Sequence, residues 1–137
     1  MAAVPDPARQ AFRILHVGFV VLPVLAGLDK FFEVLVDWDR YLAPAVTDLL
    51  PVSGHSVMLA VGVVEIAAGV LVALRPRIGG YVVAAWLWAI IVNLLIAGDH
   101  FDIALRDFGL SLGALALARL AEALVPTGTG AATTRQR

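Results

Sequence analysis

The sequence predicts an all-α fold: a four-helix transmembrane bundle with a short interfacial amphipathic segment between helices 1 and 2. Three observations carry this. Of the 137 residues, 61% are hydrophobic and only 15% charged, and the mean hydropathy is +0.90. Soluble domains average about 25% charged residues. The apolar residues fall into four runs, each close to the ~20 residues a helix needs to cross ~30 Å of hydrocarbon. The charged residues collect between those runs and sort by sign.

Residues 1–125 are expected to form one transmembrane domain and residues 126–137 a disordered cytoplasmic tail. Asp6-Pro7 reads as a helix start, with Asp6 as N-cap and Pro7 at the first helical position, where its missing N–H costs nothing. The first helix is placed at about 7–32. Its basic start and apolar run resemble a signal peptide, but no small-x-small cleavage site follows, and three further apolar spans do. Pro23 falls mid-helix and frees the carbonyl of Phe19. His16, one turn inside Arg13, is read as a packing residue.

From Glu33 to Gly54 the chain alternates apolar pairs with Asp37, Asp39, Arg40 and Asp48, interrupted by Pro44 and Pro51. Neither a span nor a free loop fits. Short amphipathic helices at the interface do, with Trp38 and Tyr41 at headgroup depth.

The second helix, about 55–74, is the run HSVMLAVGVVEIAAGVLVAL, with Glu65 near its centre. A carboxylate near the midplane costs about 2.5–3.5 kcal/mol on insertion scales, so intramembrane acids are functional candidates by default. Glu65 is expected to face other helices uncharged, hydrogen-bonded either to the freed Phe19 carbonyl or to Ser111, since no basic residue lies near its depth. It either ties the bundle together or handles a ligand or proton.

Arg75-Pro76-Arg77 is a tight turn, so the third helix, about 78–98, returns antiparallel. Trp86 and Trp88 lie near its mid-depth, two residues apart, and cannot both face the same way. One of them is expected to point into the bundle toward Glu65. Asn93 reads as interhelical hydrogen-bond glue. The fourth helix, about 103–124, carries a small-xxx-small ridge, Gly109-x-x-x-Gly113 continued by Ala116, expected to admit a close helix neighbour.

Charge orients the bundle. On one side seven arginines (9, 13, 75, 77, 119, 135 and 137) face two acids, a net of +5; on the other, three basic residues face eight acids, a net of −5. Basic loops stay inside, so both termini are expected in the cytoplasm, in the inner (plasma) membrane.

There are no cysteines, which excludes disulfides, thiol redox chemistry and cysteine-held clusters within the chain. The net charge of −1 argues against a nucleic-acid partner. Gly-rich phosphate loops, nucleophile elbows and HExxH are absent from the sequence. His55, Asp99, His100 and Asp102 share the acidic face and are donors a divalent metal accepts, but their spacing matches no metal motif, and no metal site is predicted. Histidines on different helices at one depth, which a bis-histidine haem requires, are missing. Two groupings remain. One is the midplane layer of Pro23, Glu65, Trp86 or Trp88, and Ser111; the other is a polar cluster of Asp29, Lys30, Glu33, Arg106 and Asp107, where Lys30 and Arg106 neutralise the acids.

The segments GLDKFF, YLAPAVTDLLP, VGVVEIAAGVLVAL, RPRIGGY and ALRDFGLSLGALALARL are similar in order and spacing to DoxX-like membrane proteins, over roughly Ile14 to Leu124. Gly27, Lys30, Glu65, Arg106, Asp107 and Gly109 match the family pattern. The resemblance implies a four-helix membrane protein, in some members a subunit of a thiosulfate:quinone oxidoreductase or a partner of redox-stress enzymes. On that basis the chain is expected to be a membrane subunit or anchor for a redox protein partner. It would have no cofactor of its own, quinone as the possible ligand, the lipid bilayer as surroundings and homo-oligomerisation open, and would not be an oxidoreductase by itself. Two alternatives stand beside this: a dimeric proton-coupled transporter working through Glu65, and a structural assembly factor.

Overall fold

The computed structural model describes residues 6–35 and 37–125. Residues 1–5 and the tail 126–137, the latter expected to be disordered, lie outside the described residues. Among those described, the chain is all-helical: α1 Pro7–Phe32, α2 Pro44–Leu49, α3 Gly54–Leu74, α4 Pro76–Ala97 and α5 Phe101–Leu124, with a 3-10 turn at Trp38–Tyr41.

Local chemistry accounts for the ends. Asp6 caps α1 by accepting from the N–H groups of Ala8 and Arg9, and Ser53 caps α3 by accepting from Ser56. Helix α4 opens with Pro76 and closes on Gly98, whose φ of 73° is a left-handed conformation glycine adopts without strain. Pro23 is accommodated inside a continuous α1.

Three helices, α1, α3 and α4, are long and apolar enough to cross a membrane. Helix α5, expected as the fourth span, has 24 residues but falls outside this group, since Asp102, Arg106, Asp107, Arg119 and Glu122 all lie within it. The four long helices pack chiefly as two pairs, α1 on α3 and α4 on α5, joined along a thinner seam. A core of Phe19, Ala68, Val72, Val83, Ala84, Ala114 and Leu117 fills the seam. Outward-facing Ile14, Val17, Leu22 and Leu25 of α1 are exposed, as a lipid-facing surface requires.

Glycines set the closest approaches. A Cβ on Gly27 would stand 2.6 Å from the carbonyl oxygen of Gly62, and one on Gly62 2.8 Å from that of Gly27, so α1 and α3 touch backbone to backbone. Gly79 lies against the Val72 backbone, and Gly80 against Ala114 and Ala118 of α5. The ridge expected on α5 is only half used. Gly113 meets the Phe19 ring, but Gly109 has open space around it. Spacing alone does not say which side of a helix the small residues occupy relative to its neighbours.

Candidate functional site

The Gly27–Gly62 contact positions a buried ion pair. Lys30 lies one turn beyond Gly27 on α1, level with Gly62, and its ammonium meets the Glu65 carboxylate; the side chains are only 4% and 10% exposed. Helical side chains lean toward their own N-terminus. In the antiparallel pair α1 and α3, Lys30 therefore leans inward along the bundle while Glu65 leans toward the end where α3 begins. The lysine stem spans the remaining turn.

This corrects the expectation for Glu65. Its partner is a cation, neither the Phe19 carbonyl nor Ser111, whose hydroxyl donates to the Phe108 carbonyl at 2.6 Å. Lys30 ends an apolar run and so reads as an interfacial residue, but its ammonium reaches well inside its Cα. The expected polar cluster is also redistributed. Lys30 pairs with Glu65, Arg106 donates to its neighbour Asp107, and Glu33 turns toward His55. Asp107 is buried, with a side chain 5% exposed, whereas its partner Arg106 is 64% exposed and reaches it from outside.

Asp29 and Trp38 close the site at the end where α1 stops. Glu33 takes a left-handed φ of 53° and turns the chain, so that the Asp29 carboxylate accepts from the N–H groups of Val34 and Leu35. The same carboxylate accepts from Trp38 Nε1 at 2.7 Å. The indole so held lies over Lys30, its centroid 3.8 Å from Nζ, adding cation–π attraction to a desolvated ammonium. Trp38 is thus a lid on the ion pair, a role its interfacial position did not reveal.

Asn93 fixes the segment carrying this lid. Its Nδ2 donates to the Tyr41 carbonyl at 2.7 Å and its Oδ1 accepts from the Ala43 N–H at 2.8 Å. The expected helix-to-helix glue is instead a clamp between α4 and the segment ahead of α2. His100, itself at a left-handed φ of 59°, stacks edge-on against Tyr41 at 4.6 Å.

Of the other expected site residues, Ser111 is wholly buried beside the core. Trp88 is 46% exposed and stacks edge-on against Phe108 at 5.7 Å, which takes it off the interior. Trp86 is the inward member of the pair. Its indole N–H is buried and has no hydrogen-bond partner among the described residues. An open, largely apolar groove lined by His16, Val17, Val20, Val21 and Ala73 lies some 14 residues back along α1, roughly 21 Å from Lys30. Within it His16 Nε2 donates to the Val72 carbonyl at 2.7 Å, tying α1 to the end of α3.

The donors sharing the acidic face are regrouped as well. His55 meets Glu33 and Asp39, with ligand-type atoms within 4.8 Å of one another, rather than Asp99, His100 and Asp102. At the opposite end of the bundle Glu122 gathers Tyr81, Arg77 and Arg119, tying the start of α4 to the end of α5.

The arrangement thus defines a class: a chain all-helical among the described residues, with three helices able to cross a membrane and a buried Lys30–Glu65 ion pair. Comparison with family models, with characterised proteins and with solved structures gives no match to this chain.

Proposed function

We propose that this chain is a DoxX-like four-span subunit of the inner membrane, with both termini cytoplasmic. It anchors a redox partner and presents its buried charged site to quinone arriving from the bilayer. One observation carries the reading. Lys30 and Glu65 belong to two segments far apart in the chain that both carry the resemblance to the DoxX-like family, and they meet as a buried ion pair, while Asp107 of a third such segment is buried as well. Charge inside a membrane is costly and is retained where it works on a substrate, ion or proton. A paired lysine and carboxylate supply a donor and an acceptor, which is what a ring with two carbonyl or hydroxyl oxygens needs. Proton-coupled export is supported less well, because its acid must be free to exchange protons with both sides, whereas Lys30 occupies Glu65.

The test is to extract the protein with its lipid in polymer-bounded discs and to measure quinone per phospholipid and co-purifying proteins. Wild type should carry quinone above the bulk-membrane ratio, and Glu65→Gln, inserted and folded, should fall to that ratio. A wild-type ratio equal to the bulk membrane would sink the quinone reading. Absence of any stoichiometric companion would sink the anchor reading.

A further inference from the structure

We propose that Glu33, Asp39 and His55 form a binding site for a divalent transition-metal ion, at the end of the bundle where α1 stops and α3 begins. The three side chains come from three elements: the residue that caps α1, the 3-10 turn and the first turn of α3. His55 Nδ1 lies 3.0 Å from Asp39 Oδ2 and 3.7 Å from Glu33 Oε1. Ligands bound at about 2.1 Å stand about 3.0 Å apart across a right angle and about 3.4 Å apart in a tetrahedron. The two spacings from His55 bracket those values, and all three ligand-type atoms lie within 4.8 Å of one another, so small side-chain shifts bring them to one ion.

Charge balance points the same way. An imidazole Nδ1 carries at most one hydrogen, and Asp39 is at the distance to take it, which leaves Glu33 facing the same nitrogen with no proton to share. Neither acid forms an ion pair with a lysine or arginine among the described residues. Asp39 Oδ1 is in addition buried without a hydrogen-bond partner among the described residues. Two carboxylates thus converge on one nitrogen with no lysine or arginine paired to either among the described residues, and a divalent cation would match their charge. One nitrogen and two carboxylate donors suit zinc, manganese, iron or cobalt better than calcium or magnesium, which favour all-oxygen shells. The side chains are 52%, 38% and 33% exposed for His55, Glu33 and Asp39, so an ion can enter and keep water in its remaining positions. The site is separate from the Lys30–Glu65 pair and does not rest on the function proposed above.

The test uses the full chain, stripped with chelator and held in an uncharged detergent, titrated calorimetrically with zinc chloride. One ion per chain is expected. Loss of an outer-shell partner typically weakens a metal site 10–100-fold, so His55→Ala and Glu33→Gln, which remove direct ligands, should each weaken binding by at least about tenfold. The Asp99→Asn/Asp102→Asn double variant should stay within about twofold of wild type, and an equal loss there would mean diffuse attraction to an acidic face and overturn the site. A second measurement needs no variant. Zinc should slow diethyl pyrocarbonate modification of His55, mapped by mass spectrometry, relative to His16 and His100. Unchanged modification of His55 at saturating zinc would overturn the proposal.

Discussion

Replacing Lys30 with methionine keeps most of the buried stem and removes only the charge that Glu65 faces. Both side chains are nearly inaccessible, at 4% and 10% exposure, so water cannot screen the carboxylate left behind. Breaking a buried pair from one side costs about 3–5 kcal/mol, far above the 0–1 kcal/mol of surface pairs. The indole of Trp38, 3.8 Å from the ammonium, loses its cation as well, adding about 0.5–2 kcal/mol. Removing both charges in Lys30→Met/Glu65→Leu leaves apolar groups of similar volume, and such replacements of whole buried pairs are often neutral or stabilising. A double-mutant cycle read by chemical unfolding in detergent should therefore show a coupling of roughly 3 kcal/mol, with the double variant more stable than Lys30→Met. Additive single losses would refute the pairing, because they would mean that each residue is held by something other than its partner.

Helix contacts can be ranked by glycine substitution. Gly27→Ala forces a Cβ to 2.6 Å from the Gly62 carbonyl oxygen and should lower stability by about 1–3 kcal/mol, whereas Gly109→Ala meets nothing within 4 Å and should be neutral or slightly stabilising; equal melting curves for the two would contradict the α1–α3 crossing. Asn93→Ala strips partners from the Tyr41 carbonyl and from the N–H of the wholly buried Ala43, a loss of about 1–3 kcal/mol. Hydrogen exchange should then quicken over residues 37–50 more than in α4, and unchanged exchange there would remove the clamp. For the proposed topology, cysteines placed at positions 53 and 127 should react with an impermeant thiol reagent from opposite sides. Reaction from one side would mean that α5 does not cross.

Much of the helical framework is legible in the chain because its punctuation is local. Asp6-Pro7 starts α1 at the position expected, and Ser53 and Pro76 start α3 and α4 one and two residues ahead of the expected 55 and 78, each through groups within a few residues of itself. The candidate site was legible in its members but not in its pairings. Glu65 stands out because an acid inside an apolar run needs a reason. Lys30 does not, because sequence gives the depth of a Cα, while a four-carbon stem leaning along its helix moves the charge by about a turn. The tight crossing was sought at Gly109 and Gly113 and occurs chiefly at Gly27, Gly62, Gly69, Gly79 and Gly80, since which side of each helix meets which neighbour is settled by the whole packing. Trp38 reads as an interfacial anchor, and its service as a lid depends on the turn at Glu33, a left-handed residue no propensity marks.

The pairing of α1 with α3 bears on how the protein is made. Ribosomes deliver α1 first, and Lys30 can stay near the membrane surface while it waits. Helix α3 arrives with a carboxylate halfway along it, a passenger the insertion machinery charges about 2.5–3.5 kcal/mol to admit. Lys30 is its counter-ion, and the glycine contact brings the two helices close enough for the charges to meet inside the bundle. Helix α3 is thus integrated most readily as the second half of a pair already begun. A nascent chain deprived of Lys30 should show its defect at biogenesis, as α3 left outside or handed to quality control, before any mature protein exists to be assayed.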